Sequence, residues 1–353
     1  MKKLSMFGLA ITYAGVFLGA GFVSGQELWQ FFACFGPWGL LGFVITAIAF
    51  YFINCCLLRL VRDTGVQDIG RLLTCGNFPW LRAAVNALQY LFLFGLLVIM
   101  IAGAAALIHE LTGLSAFLAG AGFTLLVLVT ALLGLQGLVA TFSVLVPVTT
   151  LFAVALGVYM LSQNGFQLAG ASGSVSALLP NWWTACMTYA AYNVLGTASV
   201  LIPFADLISG RKLLHRGLAL GSVLLMLLAW SIIAGLLAAP EAGQAELPLV
   251  ALASMVHLAF GVLGGILIGL GMFASALGTL VALLSQLDLH LPDIPAKRLL
   301  MPLLLLAAFA LSLVGFGTLI GVVYPIFGYA SIPLIVCLIV NWRRHVRGAA
   351  RHP

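Results

Sequence analysis

The stretch Gly19–Glu27, GAGFVSGQE, lies inside the first long apolar run of the chain. Three glycines, a serine, a glutamine and a carboxylate stand where a membrane helix ordinarily has apolar side chains. A continuous helix from Ser5 to Phe35 would be about 46 Å long at 1.5 Å per residue, and a bilayer core is about 30 Å thick. The excess length and the polar insert have one solution: the helix breaks here. Gly19, Gly21 and Gly25 carry no Cβ and leave helical geometry cheaply. Ser24 and Glu27 have the S-x-x-E spacing of a capping box, which predicts a fresh half-helix. For Gly15 and Gly19 alone, close helix packing and breaking stand level. The residues that follow favour breaking.

The rest of the chain fits a membrane. Of 353 residues, 63% are hydrophobic and 7% charged, and the mean hydropathy is +1.20. A soluble protein does not carry so few charges. The sequence reads as a single transmembrane domain over residues 1–353. Met1-Lys2-Lys3 leads straight into the first span, without the cleavage pattern of a signal peptide. The six cysteines are scattered with no C-x-x-C, and read as reduced packing residues with no metal site.

Apolar runs of about 20 residues place ten spans, near 5–35, 38–60, 83–108, 113–133, 140–162, 184–207, 214–238, 258–285, 298–316 and 318–341. With the N-terminus in the cytoplasm, all 15 Lys and Arg fall inside: Lys2, Lys3, Arg59, Arg62, Arg71, Arg82, Arg211, Lys212, Arg216, Lys297, Arg298 and the four of the C-terminal tail. That bias predicts a multi-pass protein of the cytoplasmic (inner) membrane with both ends inside. It also explains the formal charge of +6 without any nucleic-acid partner. Trp29, Trp38, Trp182, Trp183 and Trp342 read as interface anchors.

Five spans before a Gly/Ser-rich connector and five after it give halves of opposite topology, about residues 5–162 and 184–341. This is an inverted repeat. In each half the longest connection follows the second span, and each contains a segment readable as a short interfacial helix: GVQDIGRLLTC (65–75) and LPLVALASMVHL (247–258). By the same symmetry the sixth span should break in its middle. Asn193, Gly196 and Thr197, with Pro203 beyond them, supply irregular backbone and spare hydrogen bonds.

Two of these stretches, GVFLGAGFVSGQELWQFFACFG (15–36) and YAAYNVLGTASVLIP (189–203), resemble the YkvI-type membrane protein family. That family is loosely called amino acid permeases, within the amino acid–polyamine–cation superfamily. The resemblance covers essentially the whole chain and implies the LeuT fold, with helices one and six broken at the midplane. Sodium symporters of that fold show a G-x-x-x-G-x-G spacing in span one, matched by Gly15, Gly19 and Gly21. The resemblance then implies a sodium site at the carbonyls of Gly15 and Leu18, completed in span eight (GMFASALGT, 271–279) by the Gly271 carbonyl and the Ser275 hydroxyl. Ala274 stands where a second hydroxyl is expected. Glu27 stands where those symporters usually have proline.

The expected function is secondary active transport of a small polar solute, an amino acid or related amine, by alternating access with Na+ or H+ as coupling ion. The expected solute site takes Gly19, Ala20, Gly21, Ser24, Gln26 and Glu27 from span one, and Tyr189, Tyr192, Asn193 and Thr197 from span six. The half-helix after Gly21 would offer amides to a substrate carboxylate, whereas Glu27 favours a ligand with an amino group. Glu27 is also a candidate to exchange a proton during transport, with helix capping as the alternative. A membrane solute sensor on the same fold is the second reading, and a channel the third. An enzyme is not expected. GAGFVSG is not G-x-G-x-x-G, HEL at His109 lacks the second His of H-E-x-x-H, no Walker motif occurs, and no His lies in the middle of a span to activate Ser24. The oligomeric state is not legible.

Overall fold

The computed structural model describes residues 4–17, 19–76, 78–133, 138–165, 175–288 and 297–349. Lys2, Lys3, Leu18, Arg351 and connector residues 166–174, to which the sequence assigns roles, lie outside them.

The fold is all-helical, with no strand among the described residues. The first apolar run forms three pieces: α1 (Met6–Val16), α2 (Ala20–Val23) and α3 (Gln26–Phe31). Then come α4 (Pro37–Thr64), the short α5 (Ile69–Leu73), α6 (Pro79–Thr112), α7 (Ala116–Leu132) and α8 (Leu138–Asn164). Beyond the connector follow α9 (Trp182–Leu201), α10 (Arg211–Ala238), the short α11 (Pro248–Val256), α12 (Leu258–Asp288), α13 (Lys297–Ser312) and α14 (Phe316–Ala349). Among the described residues seven helices, α4, α6, α8, α9, α10, α12 and α14, are long and apolar enough to cross a membrane. Three shorter apolar helices, Met6–Val16, Ala116–Leu132 and Leu299–Ser312, lie where the sequence places the first, fourth and ninth spans.

Local sequence explains the helix ends. Pro37 and Pro79 open α4 and α6 at positions where no amide donor is needed. Gly65 and Gly113 close the same helices with positive φ, the left-handed cap that glycine adopts most cheaply. Asp68 caps α5 by accepting from the Gly70 N–H at 3.0 Å, and Asn86 Oδ1 accepts from the same N–H at 2.8 Å. The two short helices thus stand where the connections after the second spans were expected to hold them.

Many large apolar side chains face outward, among them Phe52, Leu91, Leu125, Leu151 and Leu306. A surface this apolar needs lipid as its solvent. In the interior α9 packs along α14 and α4, α10 along α8 and α1, and α12 along α6. These packings surround the interrupted first helix.

Two expectations fail here. Trp29 is no interface anchor: it is buried, and its indole packs against Gly243, where a Cβ would come within 2.3 Å of the ring. Trp38 and Trp183 are exposed, as anchors should be. The second failure is the midspan break of α9. This helix runs without interruption through Asn193, Gly196 and Thr197, and changes only at Ile202–Leu207, a 3-10 segment containing Pro203. The polar side chains expected to open it satisfy its own carbonyls instead. Asn193 Nδ2 donates to Tyr189 O at 2.9 Å, and Thr197 Oγ1 donates to Asn193 O at 2.9 Å.

Candidate functional site at the interrupted first helix

The helix α1 stops at Val16, where the Phe17 N–H turns back to Ala14 O. The Gly19 N–H bonds Phe17 O at 2.7 Å, one helical turn follows in α2, and the chain turns again at Gly25. Gly25 has φ +83°, a conformation that side chains with a Cβ rarely adopt. This glycine displaces the expected capping box. Gly25, not Ser24, precedes α3, and as a glycine it brings no capping side chain of its own. Ser24 Oγ donates to Gly21 O at 3.1 Å and accepts from the Gln26 N–H at 3.3 Å.

Freed from capping, the Glu27 side chain turns inward and is 5% exposed. Its Oε1 accepts from the Tyr192 hydroxyl at 2.5 Å. Its Oε2 lies directly over Gly21, 2.6 Å from where a Cβ on that residue would stand. Only glycine leaves room for the carboxylate. Among the described residues no Lys, Arg or His pairs with it.

Aromatic rings fix the partner tyrosine. Tyr192 stacks on Tyr324 of α14 with centroids 4.6 Å apart and planes at 15°. Tyr189 meets Tyr192 edge-on at 5.3 Å and Phe32 at 4.9 Å. Such contacts immobilise rings whose burial already costs rotamer freedom. The Tyr189 hydroxyl lies beside Glu27 and Tyr192 but meets no described residue in hydrogen-bond geometry.

A cavity of about 410 Å³ opens beside the carboxylate, between α1, α6, α9, α12 and α14. From Glu27, Tyr192 and Tyr324 it reaches past Thr12, Pro203 and Gln286, toward the end of the molecule where α1 begins. On the other side the Leu249 N–H of α11 bonds Ser24 O at 2.8 Å, and Trp29 packs on Gly243. The break is thus clamped on one side and bordered by the cavity on the other.

Gly15, Gly19, Glu27, Tyr192, Asn193 and Ser275 of the expected sites border this cavity. Gly21 supports the carboxylate from behind, while Ser24 receives α11. Tyr189 stands beside Glu27 and Tyr192 without lining the cavity, and Thr197 donates to its own helix at Asn193 O. Gln26 is buried, with its Nε2 3.2 Å from where a Cβ on Gly317 would stand. Ala20 has its backbone in α2. Gly271 packs near Leu145 and against Val23, the last residue of the α2 turn. Ala274 is buried beside Ser275 and supplies no hydroxyl to the inferred sodium position, and Leu18, whose carbonyl that position also invokes, lies outside the described residues. Missed in the sequence are Phe92, Met100, Ser199, Thr279, Gln286 and Tyr324, all on the cavity wall. Ser199 and Gln286 are polar residues in apolar spans and carried a signal that could have been read. Gln89 binds Ser199 and, at 3.0 Å, Leu195 O, tying α6 to α9.

No protein-family model matches the sequence. The chain is 26% identical over 355 residues to the uncharacterized membrane protein YkvI of Bacillus subtilis, covering 96% of both chains. It is also 26% identical over 343 residues to the uncharacterized protein YyaD of that organism, covering 92% of this chain and 94% of YyaD. Among solved structures it resembles MhsT in complex with L-phenylalanine, with TM-score 0.67, 15% identity and coverage of 95% and 89%. It also resembles a mutant of the manganese transporter of Eremococcus coleocola, with TM-score 0.56, 12% identity and coverage of 96% and 95%. The chain is a multi-pass membrane protein with the LeuT fold of these transporters.

Proposed function

We propose that this protein is a secondary active transporter that moves a small polar solute, an amino acid or related amine, through the cavity at Glu27 by alternating access. One observation carries the reading: a buried carboxylate at a helix interruption, facing a solute-sized cavity between helices. A carboxylate inside a span costs about 3 kcal/mol on insertion scales, and cavities of 300–1,000 Å³ suit small ligands. Interrupted helices near the midplane are where such folds bind.

The proposed topology is ten spans in a 5+5 inverted repeat, with both ends in the cytoplasm. The spans are α1–α3, α4, α6, α7 and α8, then α9, α10, α12, α13 and α14. The packing pairs support it, because exchanging the two halves maps one pair onto another. Span one on seven (α1 with α10) becomes span six on two (α9 with α4). Span five on seven (α8 with α10) becomes ten on two (α14 with α4), and one on five becomes six on ten. In that frame the cavity faces the cytoplasm.

The coupling ion is proposed to be the proton, exchanged at Glu27, rather than sodium. Support comes from the missing hydroxyl at Ala274 and from the absence of a cationic partner for Glu27 among the described residues. Uptake of a labelled solute panel into sealed liposomes, with an imposed pH gradient and then an imposed sodium gradient, tests the reading. Saturable accumulation driven by the pH gradient supports it. Binding without flux would identify a sensor, and flux that never exceeds equilibrium a channel.

A further inference from the structure

Resting on the reading of this cavity as the solute site, we infer that it selects a monovalent organic cation: an amine with an apolar body and no carboxylate of its own. Glu27 is the one acidic side chain among the described residues that line the cavity, and no Lys, Arg or His joins it. An amino acid would bring a carboxylate into a low-dielectric space that already holds one. Nothing there repays it.

The place where a substrate carboxylate was expected is taken. The amides after Gly21 belong to a four-residue turn, too short to present a helix dipole. Above that turn lies Glu27 Oε2, 2.6 Å from the position of a Cβ on Gly21. The protein's own carboxylate fills the position. A second anion beside it meets repulsion, whereas an ammonium meets an acceptor whose other oxygen is already held by Tyr192.

The remaining walls describe the body of the ligand. Phe92, Leu93, Leu96 and Met100 of α6 and Val16 and Phe17 of the first helix give the cavity its apolar lining. Tyr192 and Tyr324 border the carboxylate with aromatic rings, which attract organic cations through their quadrupoles.

Three probes with one aromatic body separate the charge states: 2-phenylethylamine (cation), L-phenylalanine (zwitterion) and 3-phenylpropionate (anion). Their binding to the purified full chain in detergent is measured by calorimetry at neutral pH, against protein-free micelles. The expected result is that the amine binds at least about ten-fold more tightly than phenylalanine, with no binding of phenylpropionate. Glu27→Gln should remove the preference while the protein stays folded. If that variant does not fold, the ranking on the unaltered protein decides. Phenylalanine binding as tightly as the amine, or no binding of the amine, overturns the inference. Flux of the labelled amine in liposomes is scored separately. An amine that binds selectively but is not moved upholds the inference and removes the transport reading. A protein that moves phenylalanine in preference to the amine does the reverse.

Discussion

The Tyr192 hydroxyl donates a 2.5 Å hydrogen bond to Glu27 Oε1 across 165 positions of sequence, fastening α9 to the interrupted first helix. The bond holds the carboxylate at the cavity wall and leaves Oε2 over Gly21. Position and charge of the site therefore depend on two residues from different halves of the chain.

Tyr192→Phe keeps the ring and its stack on Tyr324 but removes the donor. A hydrogen bond to a charged group contributes about 1.5–3 kcal/mol. Solute affinity should therefore fall by about ten-fold or more, with little change in melting temperature. Calorimetric titration and thermal unfolding of the variant check both. Unchanged affinity would mean that Tyr192 does not hold the carboxylate in its working position.

Gly21→Ala places a methyl 2.6 Å from Glu27 Oε2 and 3.1 Å from its Cβ, so the carboxylate must move. Uptake should fall by an order of magnitude or more, because overpacking at a site costs about 1–3 kcal/mol. Gly122→Ala is the control: no atom lies within 4 Å of its added Cβ, and alanine suits the interior of α7 better than glycine. It should leave uptake intact. Equal uptake by both variants would show that the Gly21 contact does not matter.

The first helix was legible because its signal is local. Gly19, Gly21 and Gly25 sit in an apolar run too long for a bilayer, and a chain can escape helical geometry only where sequence permits. The details were less legible. S-x-x-E matched a capping box, yet Gly25 took the position before α3 and turned Glu27 inward. Asn193 and Thr197 looked like helix breakers, but a side chain that can bond its own helix four residues back does not need to break it. Tyr324 and Phe92 gave no warning, since apolar spans are full of such residues and only tertiary packing brings these two to Tyr192. The pairing of Glu27 with Tyr192 is a long-range fact that spacing in one sequence does not encode.

Replacing sodium by choline should change solute uptake less than about three-fold, and Ser275→Ala should have a similarly small effect. The reason is the shell around the inferred sodium position, where Ala274 supplies no hydroxyl. Initial rates of uptake in the two salts provide the measurement. A steep sodium requirement that Ser275→Ala abolishes would restore sodium as the coupling ion.

The most direct test of the central claim, that solute and proton meet at the Glu27 carboxylate, is concentrative uptake of labelled 2-phenylethylamine into liposomes by the unaltered protein and by Glu27→Gln. Glutamine keeps the size and most hydrogen-bonding capacity of glutamate but carries no charge. The account predicts saturable, pH-gradient-driven accumulation by the unaltered protein. The folded variant should lose at least about nine-tenths of it, an effect of 1.4 kcal/mol or more. Accumulation by Glu27→Gln at the unaltered rate and with the same response to the pH gradient would contradict it.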